Sequence, residues 1–171
     1  MCIRDRLWIV PAWTEQTEDE REGCLNVTLE PGLAFGTGEH PTTRLCLSWL
    51  RDNADAFRGG AVLDFGTGSG VLAIGALLMG AARACGVDME AQSVDAAARN
   101  AALNGVEANL ELFLADGSEG GGALPPGRGA GEEKFDVVVA NILVGPVLSL
   151  CLLYTSPSPR DLSTSRMPSS A

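Results

Sequence analysis

A single histidine, His40, stands in 171 residues, so a histidine-rich metal site is excluded. Cysteine is present five times (Cys2, Cys24, Cys46, Cys85, Cys151), but the residues are scattered, odd in number and without a C-x-x-C pair. Neither a disulfide framework nor a zinc knuckle follows from that spacing, and no metal is expected. No apolar run approaches the ~18 residues of a membrane span. The N-terminus, with Arg4, Asp5 and Arg6, lacks a secretory apolar region, so the expected location is cytoplasmic, with no membrane partner. Basic residues are few: Lys and Arg total 12 against 22 Asp and Glu, a formal charge of −10. That balance argues against sequence-independent nucleic-acid binding, which depends on neutralising phosphates. It suits a basic protein partner, or serves only to keep the chain soluble.

What the sequence does contain is the composition of a soluble globular protein, 46% hydrophobic and 20% charged, at a length expected of one domain. Its centre is Ala61-Val62-Leu63-Asp64-Phe65-Gly66-Thr67-Gly68-Ser69-Gly70-Val71-Leu72-Ala73-Ile74. Apolar residues before the glycines predict a buried strand. The Ala/Leu-rich run after them predicts a helix to about Met79, stopped by Gly80. Alternating glycines permit a sharp turn and close backbone approach to a ligand, and the helix start presents unpaired N–H groups. The dinucleotide fingerprint places its third glycine three residues after the second. Val71 occupies that place here, and the third glycine is Gly70.

On either side the chain alternates. Residues 7–13 predict a short strand or extended linker, 14–23 an acidic loop, 25–29 a strand and 30–32 a turn. Residues 33–43 contain two glycines around Thr37 next to Phe35, then a proline suited to the first turn of a helix over 42–52. In that helix Leu45, Trp49 and partly Leu47 are expected to face a core. A second strand over 83–88 ends in Asp88, twenty residues beyond Gly68. An acid at that spacing meets a nucleoside ribose in Rossmann-like units. A helix over 90–104 is expected to pack through Val94, Ala97, Ala98, Ala101 and Ala102. Residues 109–115 predict a third strand, closing with Asp116. Residues 118–133 read as a flexible loop, and 135–140 as a fourth strand apolar enough to be buried on both faces, followed by Asn141.

Such alternation predicts an α/β fold, a Rossmann-like doubly wound parallel sheet, with Gly66, Asp88, Asp116 and Asn141 at the carboxyl edge where ligands bind. A further helix is expected to begin over 144–150. The Ser/Arg/Pro-rich end, 151–171, and residues 1–6 resemble translated sequencing-adapter ends. The domain expectation is therefore 1–32 as linker and short strands leading in, with 1–6 non-native. The α/β domain itself is expected over 33–150, cut short, and then a disordered, non-native tail.

Three segments carry a family resemblance over most of 7–150: Leu33-Ala34-Phe35-Gly36-Thr37-Gly38-Glu39-His40-Pro41-Thr42-Thr43, Leu63 to Gly70, and Val139-Ala140-Asn141-Ile142-Leu143. The D-x-G-x-G-x-G turn resembles the first motif of class I S-adenosylmethionine-dependent methyltransferases. With the other two segments, the chain resembles the methyltransferases of large-subunit ribosomal protein L-eleven. The resemblance implies S-adenosyl-L-methionine as cofactor and methylation of lysine and N-terminal amino groups of that ribosomal protein, by an enzyme monomeric when full length. By position, Thr43 contacts the cofactor, Gly66 lies under its methionine part, Asp88 holds the ribose and Asn141 sits beside the methyl. Asp64, Gly68 and Phe35 belong to the same cofactor site, and Asp116 would face the adenine amino group.

Asn141 is the catalytic candidate, its Oδ1 and the nearby backbone carbonyls accepting hydrogens of the substrate amine, unless it merely turns the chain. His40 either takes a proton or only starts a helix. Set against the resemblance, the family's N-terminal recognition domain is expected to be missing here and the sheet to stop after about four core strands, which would leave Val137, Val138 and Val139 on an open edge. Rival readings are a nicotinamide oxidoreductase, a non-catalytic nucleotide-binding domain, and a nucleic-acid or small-molecule methyltransferase. The nucleic-acid enzyme expects Pro-Pro and an aromatic after the Asn, where Ile142, Leu143 and Val144 stand.

Overall fold

A computed structural model of the chain describes residues 2–3, 7–14, 24–30, 40–115 and 135–142. Phe35, Asp116, the 118–133 loop, the 144–150 helix and the 151–171 tail all lie outside the described residues. Chain contacts group Met1–Asn141 into one compact unit; a second begins at Ile142, its one described residue.

The described residues form two sheets. In the first, β1 (Cys2–Ile3) pairs antiparallel with β2 (Leu7–Pro11), and β2 pairs in parallel with β3 (Leu25–Leu29). The second is wholly parallel and comprises β4 (Ala61–Phe65), β5 (Arg83–Asp88), β6 (Leu110–Leu114) and β7 (Val137–Ala140), in the order β6-β5-β4-β7. Its register aligns the strand ends, with Phe65 opposite both Val87 and Ala140, and Asp88 opposite Leu114. Gly66, Asp88 and Asn141 therefore leave the sheet at one edge.

Helix α1 (Pro41–Asp52) precedes β4, α2 (Val71–Leu78) joins β4 to β5, and α3 (Ala91–Leu103) joins β5 to β6. Every residue of α2 from Val71 to Leu77 is buried, as its lack of polar residues requires. Gly75 sits mid-helix because a Cβ there would lie 2.8 Å from Leu47 Cδ2, so it admits α1 against α2.

Two expected faces are corrected. In α1 the buried residues are Thr43, Leu47 and Leu50, while Leu45 is 69% and Trp49 49% exposed. Residues two apart on a helix point roughly 200° apart, so a stripe through Leu47 excludes both. In α3 the buried set is Ser93, Ala96, Ala97, Asn100 and Ala101, while Ala98 and Ala102 are exposed. The packed stripe includes two polar residues that an apolar pattern passes over. The fourth strand also departs from expectation, since Val139 is buried but Val138 is 54% exposed.

One core cluster unites Leu7, Ile9, Val27 and Leu29 of the first sheet with Leu47, Leu50, Phe57, Val62, Ile74 and Ala101. The segments leading in are thus part of the packed core, and all three described α-helices contribute to the same cluster. Alternation along β4 sends Leu63 to the opposite face, with Cys85, Val87 and Ala115.

Candidate cofactor site

The turn after β4 is held by its own backbone and by two carboxylates. Gly66, Gly68 and Gly70 have φ of 77°, 54° and 80°, a region that residues with a Cβ rarely adopt. Gly66 N and Thr67 N donate to Val87 O at 2.8 and 3.0 Å, and Gly70 N donates to Thr67 O at 2.8 Å. Asp88, at the end of β5, accepts from Gly68 N on Oδ2 at 2.8 Å and from Glu90 N on Oδ1 at 3.0 Å. The acid read from its spacing as a ribose ligand therefore clamps the glycine turn in this structure. A carboxylate offers about four lone-pair positions, so both oxygens retain capacity for further donors.

Asp64 lies beneath the turn and is only 1% exposed. Its Oδ2 accepts from Thr67 Oγ1 at 2.9 Å and from Ala73 N, in the first turn of α2, at 3.2 Å. Its Oδ1 is buried with no hydrogen-bond partner among the described residues. Burial pushes the carboxyl up to about 6; the bonds from Thr67 and Ala73 oppose the rise and the charge of Asp88 adds to it. On α1, burial first and the Asp64 charge second raise the Cys46 thiol, which makes it a weak nucleophile near neutral pH.

At the other end of the same edge, Asn141 Nδ2 donates to Thr43 Oγ1 at 2.9 Å, joining residues 98 positions apart. Thr43 is 1% exposed on the buried stripe of α1. With its amide nitrogen committed to Thr43, Asn141 keeps Oδ1 as an acceptor. His40 caps α1: the Thr42 amide donates to Nδ1 at 3.3 Å and the Thr42 hydroxyl at 2.7 Å. An exposed ring acting as a helix cap is the helix-starting alternative of the two expected for it.

The structure thus brings Asp64, Gly66, Gly68, Asp88, Thr43 and Asn141 to one edge of one sheet. Phe35 and Asp116 lie outside the described residues, although Ala115, just before Asp116, donates its amide to Asp88 O at 2.8 Å. Sequence reasoning missed two participants. Thr67 reads in sequence only as a turn residue, although its hydroxyl serves Asp64. Asn100 was hidden in an alanine-rich helix, where a buried polar residue at the spacing of Ala97 and Ala101 was the available signal. Among the described residues no cluster of His, Cys, Asp and Glu could hold a metal ion.

The sequence model of the family "Ribosomal protein L11 methyltransferase (PrmA)" matches residues 1–156. A curated "Ribosomal protein L11 methyltransferase" from Escherichia coli (strain 55989 / EAEC) is 50% identical over 155 residues, 91% of this chain and 47% of the relative. One from Shigella boydii serotype 18 matches with the same identity and coverage. The chain spans about half the length of the curated relatives it matches. Among solved structures, a ribosomal protein L11 methylase from Lactobacillus delbrueckii subsp. bulgaricus is 33% identical at a TM-score of 0.68, covering 94% of this chain and 75% of that one.

Proposed function

Because this chain belongs to the ribosomal protein L11 methyltransferase family, we propose that its glycine turn and the adjoining strand ends hold S-adenosyl-L-methionine. The whole protein then methylates lysine side chains and the N-terminal amine of ribosomal protein L11. The observation that carries the reading is the pair of tethers along one sheet edge, Gly68 N to Asp88 and Asn141 to Thr43. They set a backbone turn, an acid and a carboxamide along the place where a parallel sheet accepts a nucleoside ligand. The residues fit a cationic nucleoside. The buried Oδ1 of Asp64, without a hydrogen-bond partner among the described residues, favours positive charge nearby, and Gly66 and Gly68 carry no side chain to block close approach to the turn.

When bound, S-adenosylmethionine supplies an electrophilic methyl group on a sulfonium sulfur. The chain's own residues then bind and orient, since transfer to an unprotonated amine needs alignment more than acid–base chemistry. Asp88 accepts the ribose hydroxyls on the lone pairs that Gly68 and Glu90 leave free. Asn141 Oδ1 accepts hydrogens of the incoming amine, and the Thr43 hydroxyl fixes the carboxamide so that this oxygen is presented. The reading includes a cytoplasmic, monomeric full-length enzyme with ribosomal protein L11 as its partner and no direct contact with nucleic acid or membrane. The formal charge of −10 suits a basic substrate, and no helix among the described residues is long and apolar enough to cross a membrane.

Calorimetric titration with S-adenosylmethionine and, separately, NADH tests the proposal. Saturable binding of the first alone is expected. Binding of NADH alone would overturn it in favour of a nicotinamide enzyme, and binding of neither would remove the cofactor assignment.

A further inference from the structure

Strand β3 has β2 on one side, where Ala12 N donates to Leu29 O at 2.8 Å. Thr28 and Glu30, one residue either side of Leu29, turn their backbone groups the other way. Two side chains of α3 meet them there. Asn104 Oδ1 accepts from Thr28 N at 2.8 Å while its Nδ2 donates to Thr28 O at 2.7 Å, which are the two bonds a neighbouring strand residue would make. One helical turn earlier, Asn100 Oδ1 accepts from Glu30 N at 2.7 Å. Asn100 is 1% exposed, and its Nδ2 donates to Ser69 O, inside the glycine turn, at 2.8 Å.

One buried carboxamide therefore ties the end of β3 to the turn between β4 and α2. The same helix touches the turn a second time, because a Cβ on Gly70 would lie 3.0 Å from Ala97 Cβ. Ala97 and Asn100, three residues apart on one face, form a shelf under Ser69 and Gly70. Only a carboxamide serves both ends of this link. Asp at position 100 would still accept from Glu30 but would set an oxygen against the Ser69 carbonyl, and an aliphatic residue would lose both bonds.

We propose that Asn100 is a positioning residue for the cofactor turn: through Ser69 it fixes the direction of the turn's amides and links them to the segment leaving β3. The proposal rests on the cofactor reading given above. Asn104 supplies the control. It closes the same strand edge and donates to Asn100 O at 2.7 Å, yet among the described residues no bond runs from its side chain to the turn.

The test compares the unaltered chain with Asn100→Asp and Asn104→Asp, using amide hydrogen exchange without ligand and calorimetry with S-adenosylhomocysteine. Thermal unfolding is expected at a lower temperature in both variants. Only Asn100→Asp should speed exchange at Gly68 and Gly70 and weaken S-adenosylhomocysteine by about tenfold, the size of one hydrogen-bond loss with repulsion added. Should Asn100→Asp fail to fold, Asn100→Ser, which shortens the link without adding charge, is expected to show the same two effects at smaller size. Unchanged exchange in the turn, or equal effects from Asn104→Asp, would overturn the positioning role. Faster exchange in the turn together with no S-adenosylhomocysteine binding by the unaltered chain would instead overturn the cofactor reading.

Discussion

Asp64 shows how much a single side chain is made to bear. At 1% exposure and with one oxygen lacking a partner among the described residues, its carboxyl is pushed by burial from the ordinary 3.8 up to about 6. A raised carboxyl means that between those two values the folded chain binds a proton the unfolded chain has released. Its contribution to stability is therefore present at low pH and lost as pH climbs through about 6. Asn at position 64 removes the titration, so the stability of Asp64→Asn relative to the parent should rise from pH 4 to pH 7 in paired denaturant melts. A constant difference across that range would show that Asp64 keeps its charge in the fold.

Asn141 and Thr43 make the second residue-scale case. Asn141→Ala removes the proposed acceptor for the amine and frees the Thr43 hydroxyl, but leaves the glycine turn and Asp88 in place. Methyl transfer by the full-length enzyme should fall by about 100-fold, the scale of one lost orienting hydrogen bond, with S-adenosylmethionine affinity changed far less. Equal loss of both would assign Asn141 to cofactor binding alone.

Elements meet closely here because small residues stand where they touch, and the glycines differ in why they are needed. Gly70 has φ of 80° and also faces Ala97, so Ala there is strained in backbone and in packing. Gly60 has no left-handed backbone; a Cβ would overlap the Asp136 carboxylate, which accepts from Ala61 N at 2.8 Å and ties β7 to the start of β4. Each Gly→Ala change is expected to cost about 1–2 kcal/mol or more in urea melts. Gly70→Ala should also weaken S-adenosylmethionine, whereas Gly60→Ala, at the opposite edge of the sheet, should not. Equal binding by the two variants would separate the turn from the ligand.

At this scale much of the fold was legible. The second strand occurs as expected, the third begins and ends within a residue of its expected bounds, and α2 stops beside Gly80, because strand apolarity, helix propensity and glycine stops are local signals. Helix faces were less legible. Leu45 and Trp49 look like core residues until Thr43 shares a face with Leu47 and Leu50. Asn100 looks like an interruption until Ser69 and Glu30 arrive from distant parts of the chain to pair with it. A buried polar residue is defined by partners far away in sequence, which no periodicity reports.

The whole molecule carries one further consequence. Among the described residues β7 pairs only with β4, and Val138 is 54% exposed beside that edge. A paired strand with an apolar, uncovered side is a template for association. This polypeptide is expected to self-associate on concentration, and Val138→Lys to reduce association in light scattering without loss of secondary structure. A parent chain that stays monomeric and unfolds cooperatively would contradict that expectation.

The central claim is that one edge of the parallel sheet is a single cofactor-binding surface assembled from β4, β5, β7 and α1. Backbone amide NMR during titration with S-adenosylmethionine reads this directly. The account predicts saturable shifts at Gly66, Gly68, Asp88, Thr43 and Asn141 that share one dissociation constant. Shifts confined to one of these segments, or scattered over the sheet's opposite edge near Gly60 and Arg83, would contradict it.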